Sequence, residues 1–191
     1  MVERQGKIDD RVRSINDDLA QIASDAKEAF GALTVEQLNW KPDEKSWSVA
    51  QCFDHLIVTH SLYFPLFEKM AAGEHRQNLW ERISPFSGFF GRFLVKSLDP
   101  ANTKPMKTTA KAFPSASEID GGIIGHFGGH QQQMIAAIKS LPDDAIGTII
   151  TSPLLGIVTY RFDDALTFVP AHCRRHFNQA KRVTGTDGFP Q

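Results

Sequence analysis

Between residues 7 and 30 the apolar residues Ile8, Val12, Ile15, Leu19, Ile22, Ala26 and Phe30 recur at steps of three and four. At 100° per residue that spacing draws one apolar stripe along a long helix whose other faces are charged. Such a helix is held mainly by burying its stripe, so the rest of the chain must supply helices with matching faces. Gly31 marks its end.

Three further segments supply them. Ser48 and Gln51 have capping-box spacing, with Trp47 placed as a staple onto Cys52, and predict a second helix from about Val49 to Met70. That helix is apolar on most faces, and Pro65 bends it because proline cannot donate to the Ser61 carbonyl. Ser115 and Glu118 repeat the capping pattern and predict a third helix with the stripe Ile119, Ile123, Phe127, His130, Met134, Ile138 and Leu141. Its glycines 121, 122, 125, 128 and 129 imply either a close backbone approach or an irregular first half. A fourth helix over about 163–183, with Asp163 as N-cap, carries Ala165, Phe168, Val169, His172, Cys173, His176, Gln179, Ala180 and Val183 on one face.

Between the second and third helices, Phe86, Phe89, Phe90, Phe93 and Leu94 suggest a short extra helix, followed by a loose segment to about Pro114. A connection this long inside one domain is commonly functional or packed as a lid. The expectation is an all-α four-helix bundle with long crossovers, one domain over residues 1–184 and a flexible tail over 185–191.

Lys and Arg number 21 against 22 Asp and Glu, for a net charge of -1, so there is no overall pull toward nucleic acid or anionic lipid. The charged N-terminal residues lack the apolar stretch of a signal peptide, and no run suits a membrane span. Two cysteines, Cys52 and Cys173, are too few for a disulfide framework. A reduced, cytoplasmic protein is expected.

The residue type that carries chemistry here is histidine. Of seven, six fall on expected helices. His172 and His176 are four apart, so both rings reach one ion from one helix face. The intervening residues lack the glutamate of a zincin. His126 and His130 repeat the spacing, though His130 lies in the apolar stripe. His55 and His60 are five apart and face different directions, which argues against both binding one ion. Spacing leaves open which histidine completes a site.

The segment WKPDEKSWSVAQCFDHL, residues 40–56, resembles the DinB-like superfamily, with its W-x-P and W-S elements and a histidine eight positions after the second tryptophan. The segment HCRRHFNQ, residues 172–179, is similar to the H-x-x-R-H-x-x-Q signature of that family's last helix. The resemblance implies a four-helix bundle in which His55, His172 and His176 bind a divalent ion, zinc or nickel by imidazole preference. Three imidazoles leave positions open for water or substrate, as in a catalytic site. The implied activity is transfer of a low-molecular-weight thiol to a small substrate, the reacting group being a coordinated water or thiolate. Metal-dependent hydrolysis and a non-catalytic binding module are the alternatives. The implied assembly is a homodimer, with no nucleic-acid or membrane partner.

Gln51, His60, His126, His130 and Gln179 are candidates for the cavity or for contacts behind the ligands. Cys52 and Cys173 read as buried packing residues, and Trp40 and Trp47 as closing the first crossover. Arg174 reads as solvated, and Arg175 as a salt bridge or cap. Asp54 points away from His55 and is a poor general base. The Phe86–Leu94 patch suits a cover for the cavity or a dimer contact better than a membrane.

Overall fold

A computed structural model describes residues 2–85, 87–97 and 109–191. The long helices are α1 (Val2–Phe30), α3 (Val49–Ser61), α7 (Ile123–Lys139) and α8 (Phe162–Thr184). In α1, Ile15, Leu19, Ile22, Ala26 and Phe30 are buried as the stripe requires, while the side chain of Ile8 lies outside the described residues. Packing joins α1 to α7 and α8, and α3 to the same two helices. Helices α1 and α3 therefore occupy one diagonal of a four-helix bundle, and α7 and α8 the other. The connections from α1 to α3 and from α7 to α8 thus cross the bundle, while the longest one, residues 62–122, joins the neighbours α3 and α7.

The first crossover contains α2 (Val35–Asn39), started by a Thr34–Gln37 capping box. The second helix is not continuous to Met70. It breaks at Leu62 and Tyr63 and resumes as α4 (Phe64–Ala71). Pro65 sits in the first turn of α4, where its missing N–H has no partner to lose. The Tyr63 hydroxyl meets that of Tyr160 at 2.7 Å.

After α4 come α5 (Leu79–Ile83) and α6 (Ser87–Ser97), the extra helix expected from its phenylalanines. Phe86, the side chain of Leu94 and residues 98–108 of the loose segment lie outside the described residues. Helix α6 packs on the start of α8 and on a small hairpin absent from the sequence expectation, β1 (Ile149–Thr151) paired antiparallel with β2 (Thr159–Arg161). Buried Glu81 ties α5 to the hairpin by accepting the Thr151 N–H at 2.7 Å. No helix among the described residues is long and apolar enough to cross a membrane.

Three boundaries differ from expectation. Helix α7 starts at Ile123, not near Ser115, because Ser115 donates both its N–H and its hydroxyl to Asp54. Residues 115–122 run instead as a non-helical strap, held by Asn39, which accepts the Ile119 N–H at 2.8 Å and donates to the Ile119 carbonyl at 2.9 Å. A side chain at Gly121 in this strap would meet Val35 at 2.7 Å, whereas Gly125, Gly128 and Gly129 face open space. Asp163 lies in the first turn of α8 rather than capping it, and takes the Arg161 side chain at 3.2 Å. The last residues, expected as a flexible tail, turn back onto the first crossover. The Phe189 ring packs edge-on against Trp40, and the Pro190 carbonyl accepts from Gln37 at 3.1 Å.

Candidate metal centre

His55 stands midway along α3, and His172 and His176 one turn apart on the facing side of α8. All three are buried. Their ring centroids lie 4.6–5.0 Å apart, and one nitrogen from each falls within 4.8 Å of the others. Among the described residues this is the one cluster of histidine, cysteine or carboxylate side chains with a spacing that can hold a metal ion.

The far nitrogen of each ring has a partner of its own. His55 Nδ1 donates to the Ala112 carbonyl, with the Thr59 hydroxyl 3.3 Å away. His176 Nδ1 donates to Gln179 Oε1 at 2.9 Å. Those two bonds fix both rings with an Nε2 lone pair directed into the cluster. His172 Nδ1 faces His60 Nε2 at 3.1 Å, and its own Nε2 lies 3.2 Å from that of His55. With His55 Nε2 an acceptor, that short approach needs a shared cation or a proton on His172.

Burial sets the charge state. It pushes His55 below the usual histidine range, and pushes His172 well below it with neighbouring imidazoles adding to the effect. His176 is pushed down to about 3, chiefly by burial and then by His55. The three rings are therefore neutral near pH 7, as metal ligands must be. The donor set fits a divalent ion that accepts nitrogen, zinc and nickel included.

The walls come from elements far apart in sequence. Trp47 stacks on His176 with centroids 5.6 Å apart and meets His55 at 4.8 Å. Spacing carries no signal for that role, since the sequence places the indole as a staple that closes the first crossover. The 3-10 turn Ala110–Ala112 supplies the carbonyl to His55. Asp54 anchors the residues just after that turn, accepting from Ser115 Oγ at 3.0 Å, and is not among the side chains of the cluster.

The other candidates separate. Gln179 and His60 stand behind ligands. Gln51 does not: it completes the Ser48 capping box, and its amide donates to the Ala116 carbonyl at 3.2 Å. His126 is exposed at the start of α7 and lines no part of the cluster. His130 is buried but turned toward Ser61 at 3.2 Å and Phe64. Cys52 is enclosed in the core, its thiol pushed up to about 12 by burial. Arg174 is engaged by Asp18 at 2.6 Å rather than simply solvated. Helix α6 meets the N-terminal end of α8, where Gly91 lies against Asp164, and Phe89 and Phe93 are exposed to solvent.

Residues 18–180 match the profile of the DinB superfamily. The chain belongs to that superfamily. Among solved structures it is similar to YfiT from Bacillus subtilis, described as a probable metal-dependent hydrolase with an unusual four-helix bundle topology. The TM-score is 0.58 at 14% identity, covering 94% of this chain and 89% of that one. At that identity the likeness speaks for the fold alone, a four-helix bundle. A search of curated proteins finds no match to this DinB-superfamily chain.

Proposed function

We propose that His55, His172 and His176 hold one divalent ion through Nε2, and that the chain is an enzyme transferring a low-molecular-weight thiol to a small substrate. The observation that carries the reading is the orientation of the rings. Two of the three have Nδ1 committed to an acceptor, and the third can join them. A divalent ion on three neutral imidazoles supplies Lewis acidity at its open positions, lowering the pKa of a thiol or water there.

The protein's own groups do the rest. Ala112 and Gln179 hold two rings in place. Trp47 shields one side of the cluster from water, which strengthens electrostatic interactions within it. No carboxylate joins the cluster among the described residues, and Asp54 is occupied by Ser115. That favours a nucleophile acidic enough to need no separate base, as a thiol is. Hydrolysis is the second reading, supported by the description of YfiT.

The reading includes a cytoplasmic location, supported by two free thiols, and a homodimer. Exposed Leu79, Trp80, Ile83, Phe89, Phe93, Leu155 and Ile157 are available for such a contact.

Elemental analysis of protein without a polyhistidine tag tests the site, run beside His55→Ala and His172→Ala. About one metal per chain, lost in both variants, is the coordination expected of three ligands on one ion. Zinc at about 100 times its dissociation constant should stabilise the wild type by about 2.7 kcal/mol. Metal-loaded protein is then assayed with thiol-acceptor and hydrolase substrate panels. Turnover on neither panel, with saturable ligand binding, would leave a binding module.

A further inference from the structure

His172 faces the cluster with one nitrogen and the bundle interior with the other. Behind it a polar chain crosses the core. His172 Nδ1 lies 3.1 Å from His60 Nε2, His60 Nδ1 lies 3.9 Å from Cys173 Sγ, and Cys173 Sγ lies 3.9 Å from Gln131 Oε1. His60, Cys173 and Gln131 are fully buried. The chain joins α3, α8 and α7 through groups closed off from solvent.

Two proton arrangements fit this geometry. In the first, His60 Nε2–H donates to His172 Nδ1, and His172 Nε2–H donates to His55 Nε2 at 3.2 Å. Cys173 S–H then points to His60 Nδ1. In the second, His172 Nδ1–H donates to His60 Nε2, His60 Nδ1–H points to Cys173 Sγ, and Cys173 S–H turns to Gln131 Oε1. Each ring carries one N–H proton in both arrangements and the thiol keeps its own, so the count of protons is unchanged. Only the second leaves a lone pair on His172 Nε2. His55 and His176 have no such choice, because the Ala112 carbonyl and Gln179 Oε1 are acceptors.

We propose that His60 is a positioning residue for the metal centre, and that an ion on the triad moves His172 and His60 together into the second tautomer. The inference rests on the metal reading above. Burial keeps both rings neutral and holds the Cys173 proton on sulfur, which makes exchange of tautomers rather than ionisation the available response. His60 thus acts through the inner nitrogen of a ligand while its own position on α3 keeps it off the ion.

Two-bond 1H–15N spectra of protein labelled at histidine report the tautomer of each ring. On adding zinc to the metal-free wild type, His60 and His172 should change from Nε2–H to Nδ1–H, while His55 and His176 stay Nδ1–H. A His60 tautomer that does not change on zinc binding overturns the proposal. Zinc affinity, read by competition with a chromophoric chelator, should fall about 10–100-fold in His60→Phe. His60→Gln, whose amide oxygen accepts from His172, should recover most of that loss. Equal affinity in His60→Phe and wild type also overturns it. If His60→Phe does not fold, the wild-type spectra and His60→Gln decide. A wild type that takes up no zinc defeats the site itself, whereas zinc bound with His60 unmoved defeats this inference alone.

Discussion

Trp47 is stacked on His176, with ring planes 25° from parallel and centroids 5.6 Å apart. The same indole meets His55 at 4.8 Å, so one residue of the first crossover touches a ligand from each of two facing helices. The Ser48–Gln51 capping box that starts α3 fixes the chain immediately after Trp47. Helix initiation and site closure therefore share one short segment.

That contact predicts an optical signal. An open-shell ion such as nickel on the triad should quench Trp47, leaving Trp40 and Trp80 as the residual emission. Stoichiometric quenching by nickel in the wild type, absent from Trp47→Phe, is the expected titration. Trp47→Ala should also destabilise the protein by about 2 kcal/mol, less than a fully enclosed aromatic because the indole is only part-buried. Quenching of equal depth in Trp47→Phe would place the ion elsewhere.

The bundle and its three principal histidines were legible because their signals are local: stripes at helical spacing, the capping box at Ser48, and two short motifs in order. What surrounds the cluster was not, because it depends on contacts between distant segments. Ser115 and Glu118 have the spacing of a helix start, yet Asp54, 61 residues away, takes the Ser115 donors. The spacing of His55 and His60 argues against both binding one ion, and their rings do diverge. It says nothing of His172, whose two nitrogens let each of them meet a different edge of the same ring. Phe189 likewise finds Trp40 only once the chain is folded.

Acid should destabilise the metal-free protein well above the pH at which its carboxylates titrate. Burial pushes His130 down to about 4, while in the unfolded chain a histidine titrates near 6.5. Between those values the unfolded state binds the extra proton. The stability from a neutral buried ring is thus full above about pH 6.5 and is lost as pH falls toward 4, at up to about 1.4 kcal/mol per pH unit for each such ring. Denaturant melts of metal-free protein from pH 7.5 to 4.5 should show a falling midpoint. His130→Gln should flatten the slope by up to one proton's worth, and an unchanged slope would count against a neutral His130.

Asp54 should matter to metal binding without touching the ion. Its carboxylate holds Ser115, three residues after the Ala112 carbonyl that His55 meets. Asp54→Ala strands the Ser115 donors and should cost about 2 kcal/mol in stability. Zinc affinity should fall with it, since His55 loses its orientation. Ser115→Ala removes only the hydroxyl bond and should cost about 1 kcal/mol, with a smaller loss of affinity. Equal zinc affinity in Asp54→Ala and wild type, by chelator competition, would disconnect the strap from the site.

Gln179 offers the reverse manipulation, an increase in affinity. Its Oε1 accepts from His176 Nδ1 at 2.9 Å, and a partner on the far nitrogen both aims the ring and raises its basicity. Gln179→Ala removes that partner and should weaken zinc binding about tenfold, the lower end for loss of such a contact. Gln179→Glu puts a carboxylate in its place, and a charged acceptor makes the stronger hydrogen bond to the ring N–H. Zinc should bind this variant more tightly than the wild type, with the largest gain near neutral pH, where the carboxylate is ionised and the ring neutral. In the metal-free protein the same carboxylate should raise the His176 pKa from its depressed value, so the gain should shrink as the pH falls and protons compete for the ring. Zinc titrations of the three proteins at pH 7.5 and 6.0 separate these effects. Loss of affinity in Gln179→Glu at both pH values would show that His176 does not present Nε2 to the ion.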